Sequence, residues 1–506
     1  MAIIVNANLC DFPPLPSQAS KGRKSRISQA NTSQTQGTAI YATLDDLPDE
    51  LILEVLSYLP GIDLQDFQLP TLLSLSLTTR HLHRVVSDQI YATYDSYFCE
   101  PYLFLRTVIS NPRLGESVRH AKFRYGDDAH MERKRYSPTA RDKKIIKEGM
   151  RMLEFPDWKG WATRCNAEDI ELDILHTAVM LHTPNLVSLE VEDGLISAYS
   201  KAKWPELIKK ATAGGHFGHA HRFSTLKSVR IDAQNMVIHH LVPLLRLQSL
   251  KKLELRDLSE IELDMRAPAE LRRVLPEGCN NLEELALEEC SLRFDALTTL
   301  ISSARSLRSF RVDGTQDSIL LEGSGSMLRN ALWRQRDCLE SLDISNDPYD
   351  EDDGDAVFQG GLERFPALKD LKCSLRMVVN TCAGAAATIT EFLPPKLESL
   401  SLTMRWNSDE DGFFYVVERL ASEYVSVVPQ LRTLQLNIQI PIAELENECE
   451  RLVKAYSTTT IDFKINPPPE SDDEWGDWRT VSSDSDDSSS DSDEVELYGD
   501  SDSDEE

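Results

Sequence analysis

Few residue groups in this 506-residue sequence could carry out chemistry. His216, His219 and His221 lie within one glycine-rich run, GGHFGHAH, and imidazoles at such spacing are candidate metal ligands. A zinc site needs its rings held in a convergent arrangement, usually with an added thiolate or carboxylate, and a glycine-rich loop does not hold them. We therefore interpret the run as a flexible insertion and predict no metal or other cofactor.

The sequence also argues against catalysis by other routes. It lacks a phosphate-binding loop, a nucleophile elbow, an HExxH pair and a dinucleotide fingerprint. Nine cysteines are scattered without a CxxC pair, which is typical of reduced thiols in the cytoplasm or the nucleus. No stretch approaches 18 consecutive apolar residues, and the N-terminus lacks a signal-peptide pattern. We expect a non-catalytic protein of the cytoplasm, the nucleus or both.

The net charge of −29 is unevenly distributed along the chain. Residues 470–506 hold 17 Asp or Glu and one Arg, a net charge of −16, whereas residues 1–40 carry a net charge of +3. The remaining chain is therefore also acidic, with a net charge of −16. We expect this body to bind neither nucleic acid nor an anionic membrane, because both partners are themselves polyanions.

Both ends of the chain have compositions typical of disorder, and we predict tails at residues 1–43 and 467–506. The basic cluster formed by Lys21, Arg23, Lys24 and Arg26 fits either a nuclear import signal or a solvated tail. The C-terminal tail alternates Ser with Asp and Glu, a pattern that acidophilic kinases favour. Phosphorylation there would be regulatory or incidental to a solubilising role. The predicted sites are Ser471, Ser482, Ser483 and Ser485.

Residues 44–92 are predicted to form a short all-helical domain. The run 48–50, Pro-Asp-Glu, suits a first helical turn, where the missing N–H is harmless and carboxylates face the positive end of the helix dipole. Apolar residues then recur at helical spacing up to Leu59, before Pro60-Gly61. Pro70, in the run LQDFQLPT, predicts a break in the second helix. Helices of this size bury little area and usually depend on a partner.

Residues 93–466 are dominated by a repeated LxxLxL template. Nine copies follow one another at separations of 24–40 residues, and a weaker copy begins at Val118. The nine begin at Leu186, Leu226, Leu250, Leu282, Leu307, Leu339, Leu368, Leu397 and Leu431. The aliphatics at the fourth and sixth positions should point inward from a short strand, so each unit needs its neighbours to cover its apolar side. After the fourth copy, Cys290 is interpreted as a structural residue.

The order of a short helical domain followed by these repeats resembles the fungal F-box proteins with leucine-rich repeats. This resemblance implies an α/β fold, in which an all-helical F-box precedes an irregular leucine-rich-repeat solenoid with parallel strands on its concave face and helices on its convex face. It also implies a substrate-recognition subunit of an SCF-type cullin–RING ubiquitin ligase. The F-box would dock on the Skp-family adaptor, and through it on cullin, while the repeats hold a protein target.

The resemblance also implies which residues would contact the adaptor. The Leu-Pro pair and the aliphatic positions of the box give Leu47, Pro48, Ile52, Leu53, Leu56, Leu59, Leu77, Leu82 and Val85.

The outward positions of the repeats predict the surface that would bind the target. They form a mixed, mostly acidic face suited to a basic segment, although each residue taken alone is more typical of a solvated strand. The candidates are Glu190, Arg230, Glu254, Arg256, Glu284, Arg311, Asp343 and Lys372. Two other functions fit the sequence: a leucine-rich scaffold with no role in ubiquitination, and an acidic-tailed binder of basic proteins such as histones.

Overall fold

The computed structural model describes a large part of the chain between residues 43 and 467. The described ranges are 43–58, 65–125, 136–154, 157–167, 171–192, 203–213, 223–233, 236, 238–258, 267–313, 325–344, 361–375, 389, 393–404, 411–438 and 445–467. Several predictions lie outside these residues: the tails apart from Thr43 and Pro467, the basic cluster, the four phosphorylation sites, Leu59 and the three histidines of the glycine-rich run.

Twelve strands of the described residues form one sheet, in which each strand pairs in parallel with the next strand along the chain. The strands are β1 (Thr93–Asp95), β2 (His120–Arg124), β3 (Ser188–Glu192), β4 (Ser228–Asp232), β5 (Lys252–Arg256), β6 (Glu284–Glu288), β7 (Ser309–Asp313), β8 (Ser341–Ile344), β9 (Asp370–Ser374), β10 (Ser399–Met404), β11 (Thr433–Ile438) and β12 (Asp462–Asn466).

Helices precede the sheet and connect most of its strands. They are α1 (Asp49–Ser57), α2 (Gln65–Ser76), α3 (Arg80–Ile90), α4 (Pro101–Ser110), α5 (Pro112–Ser117), α6 (Ala140–Met152), α7 (Trp158–Cys165), α8 (Leu172–Leu181), α9 (Lys203–Thr212), α10 (Ile238–Leu245), α11 (Ala267–Val274), α12 (Phe294–Ser303), α13 (Gly325–Trp333), α14 (Asp411–Val427) and α15 (Glu446–Tyr456). Within the described residues, no helix is both long and apolar enough to cross a bilayer.

The repeated template accounts for the strands β3 to β11. In β3, for example, Leu189 and Val191 at the fourth and sixth positions are almost fully buried, while Ser188, Glu190 and Glu192 point away from the core. The leucine that opens each copy is also buried just before its strand. The nine predicted strands are therefore confirmed, as is a strand at the weaker copy, β2. Together with the intervening helices they share one continuous hydrophobic core.

Cys290 has the structural role that the sequence predicted. Its thiol is buried beneath the turn after β6 and donates hydrogen bonds to the carbonyl oxygens of Leu255 at 3.4 Å and Glu288 at 3.3 Å. Burial raises the pKa of this thiol to about 12, so it remains protonated and inert at neutral pH.

The first three helices form a small unit with its own core. Ile52 and Leu56 from α1, Leu72 from α2, and Val85 and Val86 from α3 pack together separately from the core of the sheet. The prediction that Pro70 breaks the second helix is wrong, because α2 runs from Gln65 to Ser76 with Pro70 inside it. Pro70 is exposed, so its ring faces solvent while the flanking residues continue the helix.

Candidate protein-binding surfaces

The aliphatic stripe of α1 is divided between the inside of the three-helix unit and its outside. Ile52 is fully buried and Leu56 nearly so, and both contact the small core. Leu51, Val55 and Tyr58 have the i, i+4, i+7 spacing of a single helical face, and their exposed fractions are 51%, 48% and 78%. This outer face of α1, made of Leu51, Val55 and Tyr58, has no apolar cover from the described residues.

The other predicted adaptor contacts are also divided. Leu82 and Val85 are buried on α3, and Leu47 packs partly against the same small core. With Ile52 and Leu56, they hold the helices together in the free chain rather than lining a docking surface. Leu77, just after α2, is 70% exposed, and Leu53 and Pro48 are also exposed. Among the predicted contacts that the structure describes, Leu77, Leu53 and Pro48 are the exposed ones.

Polar contacts fix the orientation of α1 against α3. Asp49, in the first turn of α1, lies 2.8 Å from a guanidinium nitrogen of Arg84 and 3.5 Å from His81 Nε2. The side chain of Thr79 caps α3 by accepting a hydrogen bond from the backbone N–H of Leu82 at 3.1 Å. Pro48 precedes α1, and its carbonyl accepts the first helical hydrogen bonds. These contacts hold α1 so that its outer face points away from α3.

The second candidate surface is the face of the sheet that points away from the hydrophobic core. We call it the open face and define it by the outward residues of β2 to β11. Parallel pairing aligns one outward residue from each strand into a row about 4.8 Å apart. The central row runs Lys122, Glu190, Arg230, Glu254, Ala286, Arg311, Asp343 and Lys372. Charges therefore alternate in sign along the row, with Ala286 as the one uncharged position among these eight residues.

All eight predicted target-binding residues lie on this face, and every one is in an ion pair. Arg230 contacts Glu190 at 3.7 Å and Glu254 at 3.0 Å. Arg311 contacts Asp343 at 3.7 Å, and Asp343 also contacts Lys372 at 3.5 Å. Neighbouring rows add Arg256 with Glu288 at 2.8 Å and Lys252 with Glu284 at 3.8 Å.

On this part of the sheet the open face is mixed, with a small excess of acidic residues. The outward positions of β2 to β9 carry seven Lys or Arg and nine Asp or Glu. The cations are Lys122, Arg124, Arg230, Lys252, Arg256, Arg311 and Lys372, and the anions are Glu190, Glu192, Asp232, Glu254, Glu284, Glu288, Asp313, Asp343 and Asp370. The sequence shows the charge of each residue, but it is the register of the strands that places opposite charges next to each other.

Glu288 is the centre of the densest part of this network. Its carboxylate lies 2.8 Å from Arg256, 3.5 Å from Arg311 and 3.9 Å from Arg230. Burial by itself would raise the pKa of Glu288, but the hydrogen bond from Arg256 and the charges of Arg311 and Arg230 bring it below its usual range. Three arginines are thus oriented by one carboxylate, with part of each guanidinium still exposed to solvent.

The open face changes character toward its C-terminal end. The outward residues of β10 and β11 are Ser399, Ser401, Thr403, Thr433, Gln435 and Asn437, none of them charged. The Asn437 side-chain NH2 donates to the Ser401 hydroxyl at 3.0 Å, and the Asn466 side-chain NH2 on β12 donates to Asn437 Oδ1 at 2.8 Å. The open face therefore has a charged region followed by a neutral, hydrogen-bonding one.

Comparison with protein-family models adds an independent finding to this geometry. Residues 44–95 match the family described as F-box-like. The chain carries an F-box-like domain. The match covers α1, α2 and α3 and ends at Asp95, the last residue of β1, whereas the sequence predicted a boundary at residue 92. Comparison with curated proteins gave no match.

The outer face of α1 in the F-box-like domain was only partly visible in the sequence. Leu51 and Val55 belong to the predicted aliphatic stripe, but their partition from Ile52 and Leu56 depends on where α3 packs. Tyr58 is outside that stripe and extends the exposed face by one further turn. Because Ile52, Leu56 and Leu59 have the same i, i+4, i+7 spacing as Leu51, Val55 and Tyr58, the sequence alone does not separate the exposed face from the core.

Proposed function

We propose that this protein is the substrate-recognition subunit of an SCF-type ubiquitin ligase, acting without catalytic chemistry of its own. F-box domains generally bind Skp-family adaptors, and the F-box-like match at residues 44–95 supports that role here. The single observation that carries the proposal is the exposed apolar face of Leu51, Val55 and Tyr58 within this domain. Apolar surface of this kind is stabilised by burial against a partner.

The sheet supplies the second half of the proposed adaptor. Twelve parallel strands in sequence order, with helices between them, fit a leucine-rich-repeat solenoid whose open face holds the target. The alternating ion pairs of that face favour a target segment carrying both signs of charge, because a purely basic segment would meet Arg230, Arg256 and Arg311 as well as the carboxylates. All seven cysteines of the described residues are free thiols, which agrees with action in the cytoplasm or the nucleus.

Adaptor docking is tested by removing the apolar character of the outer face while leaving the small core intact. In the full-length chain, Leu51→Ser with Val55→Ser should weaken binding of a purified Skp-family adaptor at least about tenfold, since each side chain contributes about 1 kcal/mol or more on burial. Both side chains are about half exposed, so the helices should retain their fold, which circular dichroism can check. Affinity is measured by isothermal titration calorimetry.

The matched control makes the same kind of change on α14, the helix between β10 and β11. Tyr415 and Val425 on α14 are 56% and 65% exposed, so Tyr415→Ser with Val425→Ser removes comparable apolar surface outside the F-box-like domain. This control should bind the adaptor as the unmodified chain does. If the unmodified chain binds no Skp-family adaptor, the protein is a repeat scaffold without a ubiquitin role and the proposal is lost.

A further inference from the structure

The connection between β2 and β3 contains an unusual concentration of positive charge. Residues 133–167 hold ten Lys or Arg and four Asp or Glu, a net charge of +6 in a chain whose total is −29. The described part of this segment forms α6 and α7, which pack against each other. A parallel crossover needs about a dozen residues, and α8 alone could provide it. Helices α6 and α7 are therefore an addition to the repeat.

The cations of α6 lie on its solvent face. Asp142, Ile146, Gly149 and Met150 are buried, and the opposite side of the helix presents Arg141, Lys144, Lys147 and Arg151. We call these four residues, with Lys159 and Arg164 of α7, the basic patch. All six are exposed. Spacings of three and four residues make neighbouring cations repel one another, which costs about 0.2–0.5 kcal/mol per pair and gives no benefit to the fold.

The patch differs from the open face in that much of its charge is not neutralised. Arg151 is paired with Glu148, and Arg164 lies 3.9 Å from Asp157. Arg141, Lys144 and Lys147 have no carboxylate within 4.0 Å among the residues that the structure describes. By contrast, the three arginines around Glu288 are each paired. Surplus cations held on a rigid helix are a binding surface for a polyanion.

Apolar groups accompany these cations. Met152, at the end of α6, is 67% exposed. Trp161 and Trp158 of α7 are half-buried, with the Arg164 guanidinium 5.2 Å and the Lys159 ammonium 5.7 Å from their respective ring centroids. A fitting partner therefore combines many carboxylates with a few aromatic side chains.

We propose that the basic patch binds the chain's own acidic C-terminal tail. Residues 470–506 carry a net charge of −16, and Trp475 and Trp478 lie among their carboxylates, which matches both properties of the patch. Indole rings also bind exposed Lys and Arg through cation–π contacts. Outside residues 1–40, which have a net charge of +3, and residues 133–167, the rest of the chain carries a net charge of −22 and repels this tail, so the patch is its favoured contact among the described residues.

The C-terminal tail is long enough to reach the basic patch. The last described strand, β12, is nine strand spacings from β3, a path of at most about 43 Å along the sheet at about 4.8 Å per strand. The 39 residues from 468 to 506 could span up to about 130 Å if fully extended. Even half of the tail therefore covers the distance to α6 and α7 with residues to spare.

The test uses the full-length chain and a carbodiimide, which joins carboxylates to lysine amines only where they touch. We expect cross-links from residues 470–506 to Lys144, Lys147 and Lys159 in about 0.01 M salt. They should disappear in about 1 M salt, where the Debye length falls from about 30 Å to about 3 Å. Mass spectrometry of the digested protein locates each cross-link. Mixing isotopically labelled and unlabelled chains separates contacts within one molecule from contacts between copies.

Charge reversal tests the assignment of the patch. Lys144→Glu with Lys147→Glu should reduce tail cross-links to the remaining Lys143 and Lys159 several-fold. The matched control, Lys209→Glu with Lys210→Glu on α9, changes the same number of exposed lysines and should leave those cross-links unchanged. Because reversal could disturb α6, a tail variant with Trp475→Ser and Trp478→Ser repeats the test with the helix untouched and every tail carboxylate retained, and it should lower the same cross-links.

Three outcomes would overturn the proposal. Tail cross-links spread evenly over the lysines of the protein would show contact without a preferred surface. Cross-links only between labelled and unlabelled copies would place the tail on another molecule. Tight binding of a single-stranded RNA to the patch in the full-length chain, unaffected by deletion of residues 470–506, would show that the patch is free and serves a nucleic acid.

Discussion

Asp142, in the first turn of α6, is the residue on which the geometry of the basic patch most depends. Its carboxylate accepts hydrogen bonds from the Tyr136 hydroxyl at 2.7 Å and from the Thr139 backbone N–H at 3.0 Å, and it pairs with Arg106 at 3.2 Å. Burial by itself would raise the pKa of Asp142, but the hydrogen bonds from Thr139 and Tyr136 and the contact with Arg106 lower it to about 2. The folded state therefore favours the ionised carboxylate.

Replacing this carboxylate should produce a pH-dependent loss of stability. A folded pKa of about 2 against an ordinary value of 3.8 corresponds to about 2 kcal/mol, fully present above about pH 4 and lost as the pH falls toward 2. Asp142→Asn should therefore lower the free energy of unfolding by about 2 kcal/mol at pH 7, and the two proteins should converge near pH 2. Urea denaturation across this range measures the difference.

The neighbouring Glu148 provides the control for Asp142. It is exposed on the same helix and pairs with Arg151 on the surface, where such pairs contribute little. Glu148→Gln should change the free energy of unfolding by less than about 1 kcal/mol at either pH. A pH-independent loss in Asp142→Asn would mean that the replaced acceptor oxygen matters there and the charge does not.

At the scale of single elements, α2 of the F-box-like domain contains a proline at an interior position, where proline is unfavourable. Pro70 cannot donate the backbone hydrogen bond to the carbonyl of Asp66, and a proline inside a helix costs up to about 3 kcal/mol. Because Pro70 is exposed, Pro70→Ala should stabilise α2 without a packing penalty. Slower amide hydrogen exchange across residues 65–76 would be the direct readout.

Pro112 provides a control for Pro70, because a proline is tolerated at the start of a helix. It begins α5, where the missing N–H has no helical partner in any case. Pro112→Ala should therefore leave exchange in α5 nearly unchanged. If Pro70→Ala accelerates exchange in α2 instead, the proline stabilises this helix and the expectation is wrong.

The elements that were predictable from the sequence are those with a strong periodic signal. The template positions gave β3 to β11, because leucines at fixed intervals appear only where neighbouring units must share a core. The edge strands were not predicted: β1 is three residues long, and β12 has Phe463 and Ile465, with Ile461 just before it, but no opening leucine.

Contacts between side chains could not be predicted from the sequence in the same way. The sequence identified Arg230 and Glu254 as outward residues but could not show that they face each other at 3.0 Å, since that depends on the register of β4 and β5. Likewise, helical spacing made Leu51 and Ile52 equal members of one stripe. Only the position of α3 determines which of the two is buried.

At the scale of the whole molecule, the F-box-like helices and the sheet have separate hydrophobic cores. The described contacts between them are modest: Asp88 of α3 lies 3.5 Å from Arg113, and the Tyr91 ring is centred 6.1 Å from that of Phe104. Two cores joined mainly through surface contacts should unfold as two units, because weakening one core removes little from the other.

Two core truncations test this separation. Ile52 and Leu255 are both fully buried, one in each core, and truncation to alanine at such positions costs about 2–5 kcal/mol. Ile52→Ala should accelerate hydrogen exchange in residues 49–90 alone, whereas Leu255→Ala should do so in β4 to β6 first and leave α1 to α3 unchanged. Acceleration of both regions by either variant would show one cooperative unit. With separate units, a partner bound to the F-box-like helices would stabilise them without any rearrangement of the open face.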